Sequence, residues 1–232
     1  MLRIAAALVV AGLCVGCGAG VKFPRSKPEA IQLPVVAPEK PETKTPGVMI
    51  EIPLEAGKDI EGLKKSLVER YEAVAAEIVK ANQTTVAEAP VGLRVDARLE
   101  YRAIYEALVA GIRKGFTRFH LACRKSSDAK DVQYFVIAFN FWVGDWNPPE
   151  TARLTVMQGE KGLVYQLDGN SRSLDEICAD VKARALRNPQ MILVVNTIAN
   201  VSVQTWAAIY ADAVKTGVRD VRLGKMIESE GE

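Results

Sequence analysis

The residues best suited to metal or nucleophilic chemistry are four cysteines and one histidine, and their spacing favours neither kind of site. Cys14 and Cys17 lie in an apolar N-terminal run, whereas Cys123, Cys178 and His120 are far apart in the chain. A structural zinc ion needs four such ligands at close spacing. No serine or cysteine nucleophile motif and no glycine-rich phosphate loop accompanies them. The sequence therefore predicts no catalytic residue, no metal and no cofactor, and we expect no enzyme.

The histidine and two of the cysteines have simpler structural interpretations. His120 lies between Phe119 and Leu121 in an alternating run, so it is expected on the opposite, solvent-facing side of a strand. Cys123 ends that run, and Cys178 falls within a helical pattern. We expect each thiol to act as a small buried hydrophobe, with a disulfide between them as the alternative.

Two tryptophans stand out in the stretch FWVGDWNPPE. Trp142 and Trp146 lie between the two halves of the pattern described below. Aromatic side chains at such a position either join two domains or form a stacking platform for a cell-wall glycan. Both interpretations are kept.

The first 17 residues have the layout of a bacterial lipoprotein signal. Arg3 precedes an apolar run from Ile4 to Val15, and small residues lead to Cys17. The ending resembles a lipobox, with Cys14 at a position where leucine is usual. We expect cleavage before Cys17 and lipidation of its thiol, which anchors the chain in a membrane facing the periplasm of a bacterial cell envelope. The alternative is an uncleaved, single-pass inner-membrane anchor.

Residues 18–46 are rich in proline and in alternating Lys and Glu, as expected of an extended tether. Its one apolar island is AIQLPVVAP. Ile31, Leu33 and Pro34 in this island form a candidate strand that could dock on the sheet edge of a partner.

The composition bears on the remaining partners. The chain has 232 residues, with 30 Lys and Arg against 28 Asp and Glu. This near-balance gives no electrostatic reason to expect nucleic-acid binding.

A strand–helix–strand pattern occurs twice along the chain. The first copy consists of VGLRVD (91–96), an amphipathic helix and FTRFHL. The second copy consists of MILVVN (191–196), a second helix and VRDVRL. A helix precedes each copy, at residues 59–82 and 173–186. The sequence thus predicts an α+β protein with two tandem small two-layer domains, each a mixed sheet with two helices on one face.

The predicted domains span residues 47–142 and 150–225, followed by an acidic tail at 226–232. From Tyr101 onward the copies match at an offset of 102 residues, and before Tyr101 at 100. A hairpin around Gly159–Gly162 opens the second copy. Because the first copy has no such hairpin, the apolar run 131–142 is expected to replace it.

Equivalent polar and glycine residues punctuate the copies. Asp96 and Asn196 each end a strand, where a short polar side chain commonly caps a turn. Gly115 and Gly217 follow the helices at the position where a left-handed residue ends a helix. Ser173 begins a capping box.

This order of elements resembles the periplasmic domain of the ExbD/TolR biopolymer-transport family. The resemblance is carried by RLTVMQGEKGLVYQLDGNSRSLDE and the strand–helix–strand after it, by Asp96 and Tyr101 in the first copy, and by the Leu-Pro of AIQLP. It implies a dimerising module that engages partner proteins and cell wall. Members that power transport carry a membrane helix with a buried aspartate, whereas the first acidic residue here is Glu29, beyond the apolar segment.

We therefore expect a non-enzymatic envelope lipoprotein that is accessory to energised transport or motility. Its expected partner is a channel complex of the ExbB/TolQ type. A peptidoglycan-binding lipoprotein that works alone is the alternative, and an envelope hydrolase is the least favoured.

Overall fold

The computed structural model describes residues 31–38, 41–42, 44–81, 85–139 and 150–228. Nine strands and four α-helices are assigned within these ranges. The strands are β1 Val48–Ile52, β2 Pro90–Val95, β3 Arg118–Cys123, β4 Gln133–Phe139, β5 Thr151–Gly159, β6 Gly162–Leu167, β7 Asn170–Arg172, β8 Ile192–Ile198 and β9 Asp220–Ile227. The helices are α1 Ile60–Ala81, α2 Tyr101–Arg113, α3 Leu174–Arg187 and α4 Val203–Lys215.

The helix ends follow the predicted signals. Ser173 and Glu176 form a capping box at the start of α3, each side chain accepting from the other residue's backbone N–H. Gly115 and Gly217 adopt positive φ angles of 91° and 82° just after α2 and α4, a conformation that costs a glycine little. These predictions are confirmed.

All nine strands belong to one mixed sheet, in the order β1-β2-β3-β4-β9-β8-β5-β6-β7. Strands β1, β2 and β3 are parallel to one another, and so are β9, β8 and β5. Because β4 is antiparallel to β3 and parallel to β9, the two sets run in opposite directions. This arrangement is what a twofold axis perpendicular to the sheet would produce.

The equivalent elements of the two halves now stand out. The order β1-α1-β2-α2-β3 in the first half matches β5-α3-β8-α4-β9 in the second, which also carries the hairpin strands β6 and β7. The α+β class with a mixed sheet is confirmed. In addition, β9 continues to Ile227, two residues beyond the predicted boundary at 225.

One face of the sheet carries the core. The strand residues that contact the helices share one parity, as in Val91, Leu93 and Val95 of β2. All four helices contribute buried side chains to the same cluster, which runs through both halves. The helices therefore form a single layer on that face, whereas the opposite face includes half-exposed positions such as Val136, at 50% exposure.

The expected role of the run 131–142 is corrected by the pairing of β4. We expected this run to replace a hairpin partner of β1. Instead, β4 pairs with β3 along Phe119–Cys123 and meets β9 at Ala138 and Phe139. It joins the two halves, because its apolar residues satisfy a position in the middle of the sheet rather than one at its edge.

The free edge at β1 is covered by an arginine from α1. The Arg70 guanidinium donates to the main-chain oxygens of Glu51, at 3.3 Å, and of Met49, at 3.5 Å. Both carbonyls point away from β2. A cation over unpaired carbonyls is one way in which proteins protect an exposed edge from further strand pairing.

The packing of α1, α2 and β3 depends on one glycine. A Cβ added to Gly111 of α2 would lie 2.8 Å from a ring carbon of Phe119 and 2.9 Å from one of Tyr71. Both rings are fully buried. The missing side chain is therefore what lets α1 approach α2 over the sheet.

We expect Gly111→Val to lower the free energy of unfolding by about 2 kcal/mol, because the added methyl groups overpack a rigid aromatic cluster. Gly47→Val is the matched control, since no atom lies within 4 Å of an added Cβ at that exposed position. Urea denaturation of both variants measures the difference. Equal stability of the two would contradict the close approach.

Candidate functional site at the junction of the two halves

The two halves supply hydrogen bonds to each other's helix starts. The Tyr101 and Arg102 N–H groups at the start of α2 donate to the Val201 and Ala199 carbonyls, at 2.7 and 3.1 Å. In return, the first two N–H groups of α4 donate to the first half: Val203 to Leu99 at 2.7 Å, and Gln204 to Ala97 at 2.9 Å. The first turn of an α-helix has no partners of its own for these donors. Each half therefore completes a helix of the other.

The four bonds are related by the internal symmetry. Adding 102 to the donor Tyr101 gives the donor Val203, and subtracting 102 from the acceptor Val201 gives the acceptor Leu99. Arg102 and Gln204 obey the same rule with Ala199 and Ala97. The offset of 102 thus already applies at Ala97, before the predicted change at Tyr101. The strand registers keep the same offset, because Pro90 pairs with Arg118 in the first half and Ile192 with Asp220 in the second. The offset of 100 predicted before Tyr101 is therefore wrong. Asn196 lies inside β8 rather than at its end, and so does not correspond to Asp96.

A column of buried aromatic rings crosses the same junction. Tyr101 stacks on Trp206 with ring centroids 5.3 Å apart, and Trp206 stacks on Tyr210 at 5.5 Å. Phe135 of β4 lies 6.0 Å from Tyr210. Such ring pairs contribute about 0.5–1.5 kcal/mol each beyond the area that they bury. The column thus connects α2, α4 and β4.

Tyr210 also joins β4 to β9 through its hydroxyl group. The hydroxyl accepts from the Ala138 N–H at 3.1 Å and donates to the Val221 carbonyl at 2.9 Å. Burial raises the pKa of Tyr210 well above its ordinary value. The hydroxyl therefore keeps its proton and can serve both strands.

Asp96 is a buried carboxylate beside this junction, with 1% of its surface exposed. It accepts from the Arg98 side chain and backbone N–H and from the Gln32 N–H, at 2.9–3.1 Å. Burial by itself would raise the pKa of Asp96, but the hydrogen bonds from Arg98 and Gln32 outweigh it and lower the pKa. Asp96 caps its turn, as predicted, and holds a distant segment as well.

That segment is residues 31–36, here named the strap. The Gln32 carbonyl accepts from the Ala97 N–H at 2.7 Å. At Arg124, the backbone N–H donates to the Pro34 carbonyl and the carbonyl accepts from the Val36 N–H, both at 2.9 Å. The strap thus forms one isolated parallel bridge, between Val35 and Arg124, just beyond the end of β3.

The strap also reaches the second half. The side-chain amide of Gln204, on α4, accepts from the Val35 N–H at 2.7 Å and donates to the Val35 carbonyl at 3.0 Å. Leu33 packs against Ala122 and Tyr134 on the helix-free face of the sheet. The predicted docking residues Leu33 and Pro34 are therefore buried within their own chain, and Ile31 is partly buried.

In the second half the end of β9 occupies a comparable position. The Ala199 N–H donates to the Ile227 carbonyl at 2.9 Å, as Ala97 does to Gln32, and the Lys225 N–H donates to Asn196 Oδ1. Glu228 then forms an ion pair with Arg102. Strand β3 ends at Cys123 and supplies no such continuation. In the first half the strap therefore accepts the hydrogen bond that the end of β9 accepts at the equivalent position of the second half.

His120 is buried, which corrects the expectation of a solvent-facing side chain. It does point away from the helices, but the tether segment covers that face, leaving 7% exposed. Glu42 exchanges two backbone hydrogen bonds with Tyr134 at 2.8 Å, and its carboxylate lies 3.1 Å from His120 Nδ1. The alternating pattern gives the face of a strand but not what covers it.

Both cysteines of the described chain are free thiols. Cys123 is fully buried, which raises the pKa of its thiol to about 11. Cys178 is half-buried in a groove between α3 and α4, and burial followed by Asp212 and Asp175 raises its pKa. Neither is poised to act as a thiolate nucleophile near neutral pH.

The remaining predicted site residues, Cys17, Trp142 and Trp146, lie outside the described residues. The roles proposed for them stay predictions. Conversely, the reciprocal bonds of α2 and α4 and the clamp from Gln204 were not predicted. Almost every residue type has a backbone N–H, so the amino-acid sequence does not show which of these groups donate across the junction. The constant offset between the two copies could have indicated where the reciprocal bonds lie.

Comparison of the sequence with models of known protein families and with curated proteins found no match. Among the helices that the structure describes, none is both long and apolar enough to cross a membrane. The described ranges also hold no group of three or more His, Cys, Asp or Glu side chains arranged to bind a metal ion.

Asp96→Asn should lower the free energy of unfolding by about 2 kcal/mol near neutral pH, because charge-assisted bonds become neutral ones. The native pKa of Asp96 lies below its ordinary value of 3.8. Its contribution is therefore complete above that value and is lost as pH falls through the native pKa. The difference between wild type and variant should shrink as the pH falls.

Urea denaturation at neutral pH and at about pH 3 measures this change. Asp131→Asn, at an exposed loop carboxylate, is the control and should leave stability unchanged. A wild-type advantage that stays constant across the pH range would contradict the assigned role of the Asp96 charge.

Proposed function

We propose that this protein is a non-enzymatic cell-envelope lipoprotein, accessory to an energised transport or motility complex and acting through protein–protein contacts. Its partner is a proton-driven channel complex of the ExbB/TolQ type. The chain is held on the membrane by lipid at Cys17 and faces the periplasm. Its folded part consists of the two tandem ExbD/TolR-like units predicted at residues 47–142 and 150–225, here joined through one nine-stranded sheet.

One observation carries the proposal. The two halves repeat the same strand and helix order about a twofold relation, and their helix starts exchange hydrogen bonds as two subunits of a dimer would. The resemblance to ExbD/TolR implies a dimerising periplasmic module. A single chain that supplies both halves of such a module matches this expectation. Its function would then depend on a surface that binds the partner.

The binding surface can be mapped by crosslinking in the native membrane. A photo-reactive amino acid is placed at Leu186 on α3, which is 78% exposed, and separately at Val136 on the helix-free face, which is 50% exposed. Capture of a multi-spanning channel protein from one of these positions supports the proposal. Capture of glycan strands alone supports the peptidoglycan-binding alternative instead, and samples without irradiation are the control.

The anchor is tested separately. Cys17→Ser should abolish the acyl mass of the mature protein and release the chain from the membrane fraction, because one acylated cysteine supplies the whole anchor. Cys178→Ser, at a free cysteine outside the signal segment, is the control and should keep the acyl mass. Intact-mass analysis reads out both. If the mature wild-type protein begins at Met1, the lipoprotein interpretation is wrong and the N-terminal segment is an uncleaved single-pass anchor.

A further inference from the structure

The strap lies outside the repeated order, N-terminal to it, and is bonded to both halves. Asp96, Ala97 and Arg124 hold it on the first half, and Gln204 holds it on the second. N-terminal to it, the chain leads back to Cys17. Any load between Cys17 and the folded part therefore passes through the strap first.

The strap is held much less extensively than the junction beneath it. Its attachment consists of six hydrogen bonds and the buried side chains of Leu33, Pro34 and Val36. Of its other side chains, Ile31 is partly buried, whereas Gln32 and Val35 are exposed. The junction combines its reciprocal bonds with a fully buried aromatic column and the continuous sheet. Segments with few buried contacts open locally at lower free energy than the core.

Detachment of the strap from the residues that hold it, here called its slot, does not break the hydrogen bonds within the repeated elements of either half. The β-strands and α-helices keep their own ladders, and α2 and α4 keep the carbonyls of Ala199, Val201, Ala97 and Leu99. What is lost is the short pairing at Arg124, the bonds to Asp96 and Ala97, and the amide clamp at Gln204. The strap is thus a separable unit by its bonding.

We propose that the strap is a stowed length of tether, which leaves its slot as a unit while the junction stays closed. Glu42 remains paired with Tyr134 after this release. Freeing the six residues of the strap adds up to about 3.5 Å of contour length per residue, on the order of 20 Å in all. The folded part would then stand at two distances from its anchor. The inference rests on the proposed anchor at Cys17 but not on the partner named above.

Amide hydrogen exchange on the full, isotopically labelled chain tests the proposal. The Ala97 and Arg124 N–H groups donate to the strap and report its release, whereas the Tyr101 and Val203 N–H groups report the junction. The first pair should exchange at least tenfold faster than the second. Equal exchange of both pairs would mean that strap and junction open together, which overturns the proposal.

A variant adds a second, directional readout. Gln204→Ala removes the side-chain clamp on Val35 but keeps the backbone donor at the start of α4. It should accelerate exchange at Ala97 and Arg124 by a further factor of about ten, and leave Tyr101 and Val203 unchanged. Gln190→Ala, at an exposed glutamine, is the control. Acceleration of all four amides by the same factor would show that Gln204 stabilises the junction itself, and would overturn the proposal.

Discussion

The start of an α-helix must find acceptors for backbone donors that the helix cannot satisfy, and in this protein α2 and α4 find them in each other's half. Two helix ends of the same positive polarity face one another here, an arrangement that repels unless carbonyl groups lie between them. Four carbonyls from the two loops meet that need. Neither half could keep its helix start in this form without the other, and so the relative placement of the halves is fixed.

Much of the remaining architecture follows from that placement. It brings Tyr101 over Trp206, so that one aromatic column serves both halves. It also leaves a gap between β3 and β9 that β4 fills, with the Tyr210 hydroxyl bonded to a strand on either side of the join. The result is one sheet with one main core, although the sequence contains two copies of a similar strand–helix pattern.

The sequence predicts elements well where the signal is local. The helix over 59–82 appears as Ile60–Ala81, and the hairpin at Gly159–Gly162 forms as expected, because periodicity and turn residues are properties of neighbouring residues. Pairings between distant residues were harder. Neither the position of β4 nor the burial of His120 could be read from alternation, since each depends on a segment far away in the chain. The same holds for the candidate site: Asp96 was identifiable as a capping residue, but its second partner, Gln32, is 64 residues distant.

The Arg70 guanidinium group over the edge of β1 bears on how copies of the protein would interact when they are concentrated on a membrane surface. Proteins confined to a membrane plane meet one another far more often than in free solution, and an open β-edge would turn such encounters into fibres. Arg70 occupies two of the carbonyls that would begin such growth. At the other edge of the sheet, β7 is an exposed polar strand of only three residues, which offers little for a further strand to pair with. If the chain is anchored in a membrane as proposed above, neighbouring copies would therefore meet through helices and loops rather than by strand pairing.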